Sequence, residues 1–488
     1  MIIANYADRQ TLQFRVLSDG QCRELYAAAL ECLQRVGVQV NHPEAQALLA
    51  AAGADVTGNV ARIPAHIIQD ALAATPPSFN LWSRDGKRVM PVAVDRVNFG
   101  PGLTNTYFLD PYTGERRKSR RGDPAMTARV CDALEQIDYV IGLALIDDVT
   151  ASLAPVYEFA ELVANTTKPI LAWAYSAANV AAIYEIGVAV AGGAEALRRR
   201  PFFALFSTYQ SPLVNTREDL GNVIWAADHD IPIVYHGGPI VGMTSPVTGA
   251  STLVLTLATA LSGLAITQLR KRGAPFVLGG APAPADLRTS RMAYGAPEMS
   301  LYTAAFADLC RYLGVPSMGT AGASESKTVD SQAAIEASVQ ILASGLSGAS
   351  LVHDLGFLDC AEIGSLSFLV MTDEIVALVK RLLRGVEVNA ETIMMDLLEE
   401  VGPAGHFLAE KRSARLCRQE VWVPRLMDRD NYVIWEGRGG QGMEARAAER
   451  VRVILETHQP EPLAGETQAR IEQMLAEAEV RAQGRPQA

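Results

Sequence analysis

Residues 231–238 read IPIVYHGG, and this stretch decides the fold. Ile231, Ile233 and Val234 make an apolar, β-branched run with little inside–outside alternation, the pattern of a parallel strand covered on both faces. The run stops on His236 and two glycines, and a long helical pattern centred on LVLTLATALSGLAI (253–266) follows. A turn needs one or two residues that accept unusual backbone angles, but it does not need an imidazole. The strand end is therefore a candidate binding position.

Working outward, the same unit recurs. Upstream lie VNFGPG (97–102), YVIGLAL (139–145), PILAWAYS (169–176) and FFALFST (202–208); downstream lie APFVLGG (274–280), VPSMGT (315–320) and ASLVHDLG (349–356). A helical pattern follows each of them. Eight strand–helix units predict an α/β fold, a (β/α)8 TIM barrel. Residues 96–388 are read as the barrel, 1–95 as an N-terminal helical region and 389–488 as a C-terminal helical extension that packs outside it or against a neighbour. DPYTGE (110–115), dense in turn formers between two strand-like pieces, predicts a hairpin.

A net charge of −11 over 488 residues argues against a nucleic-acid backbone or an anionic membrane as partner. The six cysteines form no C-x-x-C pair and the N-terminus lacks a secretory pattern, which predicts reduced thiols in the cytoplasm. Residues 237–269 carry no charge, but Pro239, Pro246 and many small polar residues interrupt them, so a buried helix is expected rather than a membrane span.

In such barrels the C-terminal strand ends form the site. They carry Thr104 and Asn105 (first strand), Asp147 and Asp148 (second), Tyr175 and Ser176 (third), Tyr209 and Gln210 (fourth) and His236 (fifth). The seventh leads to Glu325 and Lys327, and the eighth ends in His353 and Asp354. Structural roles compete at each: a loop hydrogen bond for a histidine, a helix cap for the aspartates, packing for Tyr and Gln. Convergence on one mouth favours binding. The seven histidines make neither H-x-x-x-H nor H-E-x-x-H, so no metal site is expected. Gly437, Gly439 and Gly442 match G-x-G-x-x-G, but the second parallel strand of a dinucleotide site is missing after them, and a glycine-rich loop is the reading. No nucleophile motif stands out.

The segments 236–280 (HGGPIVGMTSPVTG through RKRGAPFVLGG), GTAGASESKTVDSQAAIEAS (319–338), GASLVHDLGFLD (348–359) and NTYFLDPYTGERRKS (105–119) resemble the trimethylamine methyltransferase family over nearly the whole chain. The family's archaeal founder uses pyrrolysine, whereas this chain has only standard residues and resembles the branch acting on quaternary amines such as glycine betaine, proline betaine and carnitine. The resemblance implies methyl transfer to the Co(I) of a corrinoid (cobalamin) on a separate partner protein, with no cofactor tightly bound to this chain. A homo-oligomer is also expected. A quaternary ammonium leaves as a neutral amine, so neither a general acid nor a protein nucleophile is required; the chain has to hold N–CH₃ in line and exclude water. Aromatic faces suit such a cation, and Tyr107, Tyr175, Tyr209 and Phe357 are candidates, with Gln210 beside them. Trp173 and Tyr235 are further candidates, but strand alternation leaves open whether they face the mouth. A betaine carboxylate would take donors from His353, His236, Lys327, Thr104 and Asn105, with His353 foremost because Asp354 can fix its tautomer. The glycines after His236 would let the backbone approach a ligand. Two other readings stand beside this one: a barrel lyase or aldolase using Lys327 or the Asp147 region, and a non-catalytic betaine-binding protein.

Overall fold

The computed structural model of the chain describes residues 2–3, 13–408 and 410–483. Seven strands run parallel in one curled sheet: Arg96–Pro101, Ile170–Trp173, Phe203–Thr208, Ile233–His236, Phe276–Gly279, Ser317–Thr320 and Leu351–Leu355. Residues 138–146 close the ring between its two ends. Asp138 N–H donates to Phe99 O at 2.7 Å, Val140 N–H to Pro169 O at 2.9 Å, and Leu171 N–H to Val140 O at 3.0 Å. The fold is the expected (β/α)8 barrel with one irregular stave. Residues 139–146 pair through isolated bridges at Val140, Ala144 and Ile146, with the chain turning at Leu143, whose φ is +69°. A Cβ on Gly142 would meet the Glu158 carboxyl carbon at 2.2 Å, so the glycine there makes room for that side chain.

A helix follows every stave, from Gly122–Ala133 to Leu366–Leu383. Local chemistry sets their ends. Ser176, Thr216, Asp330 and Ser365 each accept a backbone N–H at the N-cap. Gly192, Gly314 and Gly348 close their helices in the left-handed region. The uncharged helix Gly249–Arg270 is long and apolar enough to cross a membrane, but 72% of its most apolar window is buried, against the barrel and the N-terminal helix Asp19–Arg35.

Alternation along the staves sorts the core. Ile170, Phe203, Leu205, Ile233, Tyr235 and Phe276 face outward into the helix layer. Leu171, Trp173, Ala204, Phe206, Val234, Val277, Met318 and Leu351 face inward and form a separate cluster. That cluster is completed by Leu81, Met90 and Val92 from the hairpin Ser78–Trp82/Val89–Ala93. The hairpin seals the N-terminal end of the barrel; Asn98 Nδ2–H donates to Pro91 O there at 3.0 Å.

The N-terminal region contains strands as well as helices, and Val38–Val40 pairs in parallel with Val214–Asn215. Along residues 389–483, helix Met443–Thr457 packs on Leu366–Leu383 and Gly122–Ala133. Glu374 Oε1 fixes the approach to it by accepting the N–H groups of Arg425, Leu426 and Met427 at 2.9, 2.9 and 3.0 Å. The segment with Gly437, Gly439 and Gly442 joins two helices, Tyr432–Gly437 and Met443–Thr457, with no strand before it.

Candidate functional site

The C-terminal ends of the staves surround a cavity of about 590 Å³. On its floor, His236 at the end of the fifth stave and His353 in the middle of the eighth face each other with Nε2 atoms 3.4 Å apart and rings at 90°. Gly279 on the sixth stave makes room, since a Cβ there would meet the His236 ring at 2.6 Å. The Phe206 ring lies 5.6 Å from the His236 ring and 5.8 Å from that of His353. Burial, with His353 alongside, holds the His236 imidazole well below its usual value, so it is neutral at pH 7. A charge-assisted bond from His236 to a carboxylate, which the sequence allowed, is not supported by this setting.

Asp354 turns at φ +80°, where the eighth stave slips register between Val352 and Leu355. Strain of this kind on a non-glycine residue gathers at functional positions. Its Oδ1 lies 2.6 Å from His353 Nδ1, without the alignment of a hydrogen bond, and its Oδ2 accepts the Thr320 hydroxyl.

The aromatic wall is Trp173, Tyr175, Phe206, Tyr294 and Phe357. Trp173 faces inward and meets Tyr175 edge to face at 4.9 Å. Its indole N–H donates to Glu158 Oε1 at 3.0 Å, and Gly142 N–H donates to the same oxygen at 3.2 Å. Complete burial raises the Glu158 carboxyl to about 8. Phe357 packs over Gly102, where a Cβ would meet the ring at 2.0 Å.

Of the sequence-derived candidates, His236, His353, Thr104, Tyr175, Gln210 and Phe357 line the cavity, together with Asp354 and Trp173. The others do not. Tyr209 is buried behind the mouth: its hydroxyl donates to Gly279 O at 2.8 Å, and its ring fills the space a Gly237 side chain would need. Gly237 thus serves Tyr209 rather than a ligand, while Gly238 borders the cavity. Tyr235 faces the helix layer and donates to Asn215 Oδ1 at 2.6 Å. Tyr107 belongs to the hairpin Tyr107–Leu109/Arg116–Arg117, and the Arg116 guanidinium covers its ring at 3.4 Å. Asn105 turns its amide N–H to Leu143 O at 2.7 Å. Lys327 stands exposed on the rim, its ammonium donating to Glu325 O at 2.7 Å. Asp147 and Asp148 are exposed outside the cavity, and Asp148 accepts Arg121 N–H at 2.7 Å.

Several wall residues escaped the sequence reading. Glu218 and Asp219 line the cavity from the start of helix Arg217–Asp228. Asp219 accepts from Ser207 Oγ, Thr208 N and Thr208 Oγ1 at 3.1 Å each and from Thr216 Oγ1 at 2.6 Å. In sequence both read as ordinary first-turn acids. Phe206 could have been found by counting back two residues from Thr208 along the strand. Glu158 is one of two acids within the run PVYEFAELV, and only the space left by Gly142 shows its purpose. Among the described residues no group of three or more His, Cys, Asp and Glu side chains is placed to hold a metal ion.

Residues 2–481 match the family model described as trimethylamine methyltransferase. A trimethylamine methyltransferase of Desulfitobacterium hafniense is 29% identical over 484 residues, covering 98% of this chain and 97% of the relative. One of Methanosarcina thermophila is 30% identical and covers 94% and 97%. A glycine betaine methyltransferase of Desulfitobacterium hafniense is 26% identical and covers 95% and 97%. Among solved structures, the Methanosarcina barkeri monomethylamine methyltransferase superposes with a TM-score of 0.53 over 91% of this chain and 88% of that one, at 12% identity.

Proposed function

Because the chain belongs to the trimethylamine methyltransferase family, we propose that it moves a methyl group from a quaternary amine cation, the class that includes the betaines, to the Co(I) of a corrinoid on a partner protein. The observation that carries this reading is the mouth cavity of about 590 Å³, walled by aromatic rings and carboxyl groups. Each aromatic face is worth about 0.5–2 kcal/mol to a methylated ammonium ion. The corrinoid acts as a substrate: its Co(I) supplies the nucleophile. This chain's own part is to hold the cation with Trp173, Tyr175 and Phe206, to aim one N–CH₃ bond out of the mouth, and to keep water away. The released tertiary amine is neutral, so no wall residue has to donate a proton. The six cysteines are all free thiols, which suits the reducing cytoplasm. Lys327, which a Schiff-base mechanism would use, is out on the rim and 66% exposed.

The test is to mix the protein with cob(I)alamin and trimethylamine, tetramethylammonium, choline, glycine betaine, proline betaine or carnitine, following the cobalt absorbance. Conversion to methylcobalamin with an equal amount of demethylated amine is expected for at least one quaternary amine. Absence of transfer from every one, with the corrinoid protein of the same organism also supplied, overturns the reading.

A further inference from the structure

The wall of the cavity has an unbalanced charge. Glu218, Asp219 and Asp354 line it, and no Lys or Arg does. The Glu158 carboxyl behind the indole of Trp173 is raised by burial to about 8, so it is mostly protonated at pH 7 and adds little to that charge. Of the basic groups in the adjoining loops, Arg291 pairs with Asp359 at 3.0 Å, and Lys327 lies 3.8 Å from the same carboxylate. His236 is held neutral. Asp219 accepts four hydrogen bonds from hydroxyl and amide donors, three at Oδ1 and one at Oδ2, which fix its carboxyl group in the wall of the mouth.

A quaternary ammonium centre gains from such walls twice, from the aromatic faces and from the carboxylates. A carboxylate on the same substrate would meet Glu218 and Asp219 with no Lys or Arg to pair with, while the basic side chain of His353 already lies 2.6 Å from Asp354; like-charge contacts discriminate strongly in a water-poor cavity. We infer that the preferred substrate of this site is a methylated ammonium ion whose remaining arm is uncharged, an alkyl or hydroxyalkyl group, and that Asp219 is a residue that sets this preference. The inference rests on the reading of the site as a methyl-transfer pocket. In the transfer itself the N–CH₃ bond breaks with its electron pair staying on nitrogen. The methyl carbon bonds to the partner's cobalt, which goes from Co(I) to methyl-Co(III). The amine leaves uncharged, and an uncharged arm lets it depart without crossing the acidic rim as an anion.

Binding to the intact protein separates substrate preference from methyl transfer, because it needs no corrinoid. Calorimetric titration with tetramethylammonium, choline and glycine betaine at pH 7 is expected to show at least a tenfold tighter Kd for tetramethylammonium or choline than for glycine betaine. Asp219→Asn is expected to narrow that ratio at least threefold, chiefly by weakening the uncharged-arm cations. A glycine betaine Kd equal to or tighter than the others overturns the inference. When glycine betaine also methylates cob(I)alamin, the methyl-transfer reading survives that result. Binding of none of the three overturns both. If the Asn variant does not fold, the wild-type ratio alone decides.

Discussion

The two ends of the barrel are built from the same staves and obey the same alternation, yet they do opposite things. At the N-terminal end, inward residues such as Leu171, Val277 and Leu351 meet Leu81, Met90 and Val92 of the sealing hairpin in one apolar cluster. One or two steps further along, the same inward positions become His236, Thr320 and His353, and the backbone is bent to φ +63° at Thr104 and +80° at Asp354. Packing at the sealed end is redundant: many neighbours share the burial. At the mouth, Asp354, His353 and Asp219 are held by few and specific partners. The stability of the barrel should therefore depend on the hairpin, and its selectivity on the rim.

The largest effect expected from breaking that division is at the seal. Leu81 is fully buried. Leu81→Ala removes its packing and leaves a void, and should lower stability by about 2–5 kcal/mol. Chemical denaturation measures the loss, and the affinity of the protein that remains folded for tetramethylammonium should be unchanged. A weakened affinity at equal folded fraction would show that the two ends are coupled.

Glu158 supports the wall of the mouth from inside the helix layer, accepting from Trp173 and Gly142. Its folded carboxyl titrates near 8 against 4.5 for the exposed group. Between those values the folded state keeps a proton that the unfolded chain has released. The contribution to stability is therefore greatest below about 4.5, falls as pH rises through the window by at most about 1.4 kcal/mol per unit, and is flat above about 8. Glu158→Gln keeps an oxygen for the Trp173 indole and removes the titration. The difference in unfolding free energy between wild type and variant should swing toward the variant from pH 5 to pH 8. A difference that stays constant with pH would mean that the carboxyl is not proton-bound in the fold.

How much of this could be seen beforehand follows from range. The eight strand–helix units, the caps and the hairpin at residues 110–115 are local patterns, and the sequence displays them; the structure shows the barrel they imply. His236 and His353 were legible because a stave end is a position along the chain. Which way a side chain turns is set by neighbours far away in sequence. Arg116 covers Tyr107, Leu143 O captures the Asn105 amide, and Gly237 and Gly279 seat Tyr209. Asp219 and Glu158 were illegible for the same reason: each lies on a helix, looks like a cap or a surface acid, and acquires meaning only from the stave it reaches.

Exposed aromatic residues sharpen the comparison next. Tyr175 at the mouth is 45% exposed and Tyr432 in the C-terminal extension 68%. Tyr175→Leu should weaken tetramethylammonium binding by about 0.5–2 kcal/mol, roughly 2- to 30-fold, with little change in stability. Tyr432→Leu should leave binding unaltered. Equal effects from the two would mean that neither is a cage residue.

The smallest effect tests the boundary between wall and support. Tyr209 sits at the end of the fourth stave, where sequence alone makes it a cage candidate, but its hydroxyl is spent on Gly279 O and its ring lies behind the cavity. Tyr209→Phe keeps the ring and leaves that carbonyl without its donor. The expected outcome is a loss of about 1 kcal/mol in unfolding free energy with the same affinity for tetramethylammonium. The reverse result, full stability with weakened binding, would move the aromatic cage outward by one strand position. The mouth would then be read from the alternate face of the fourth stave, and Phe206, not Tyr209, would be the structural residue of the pair.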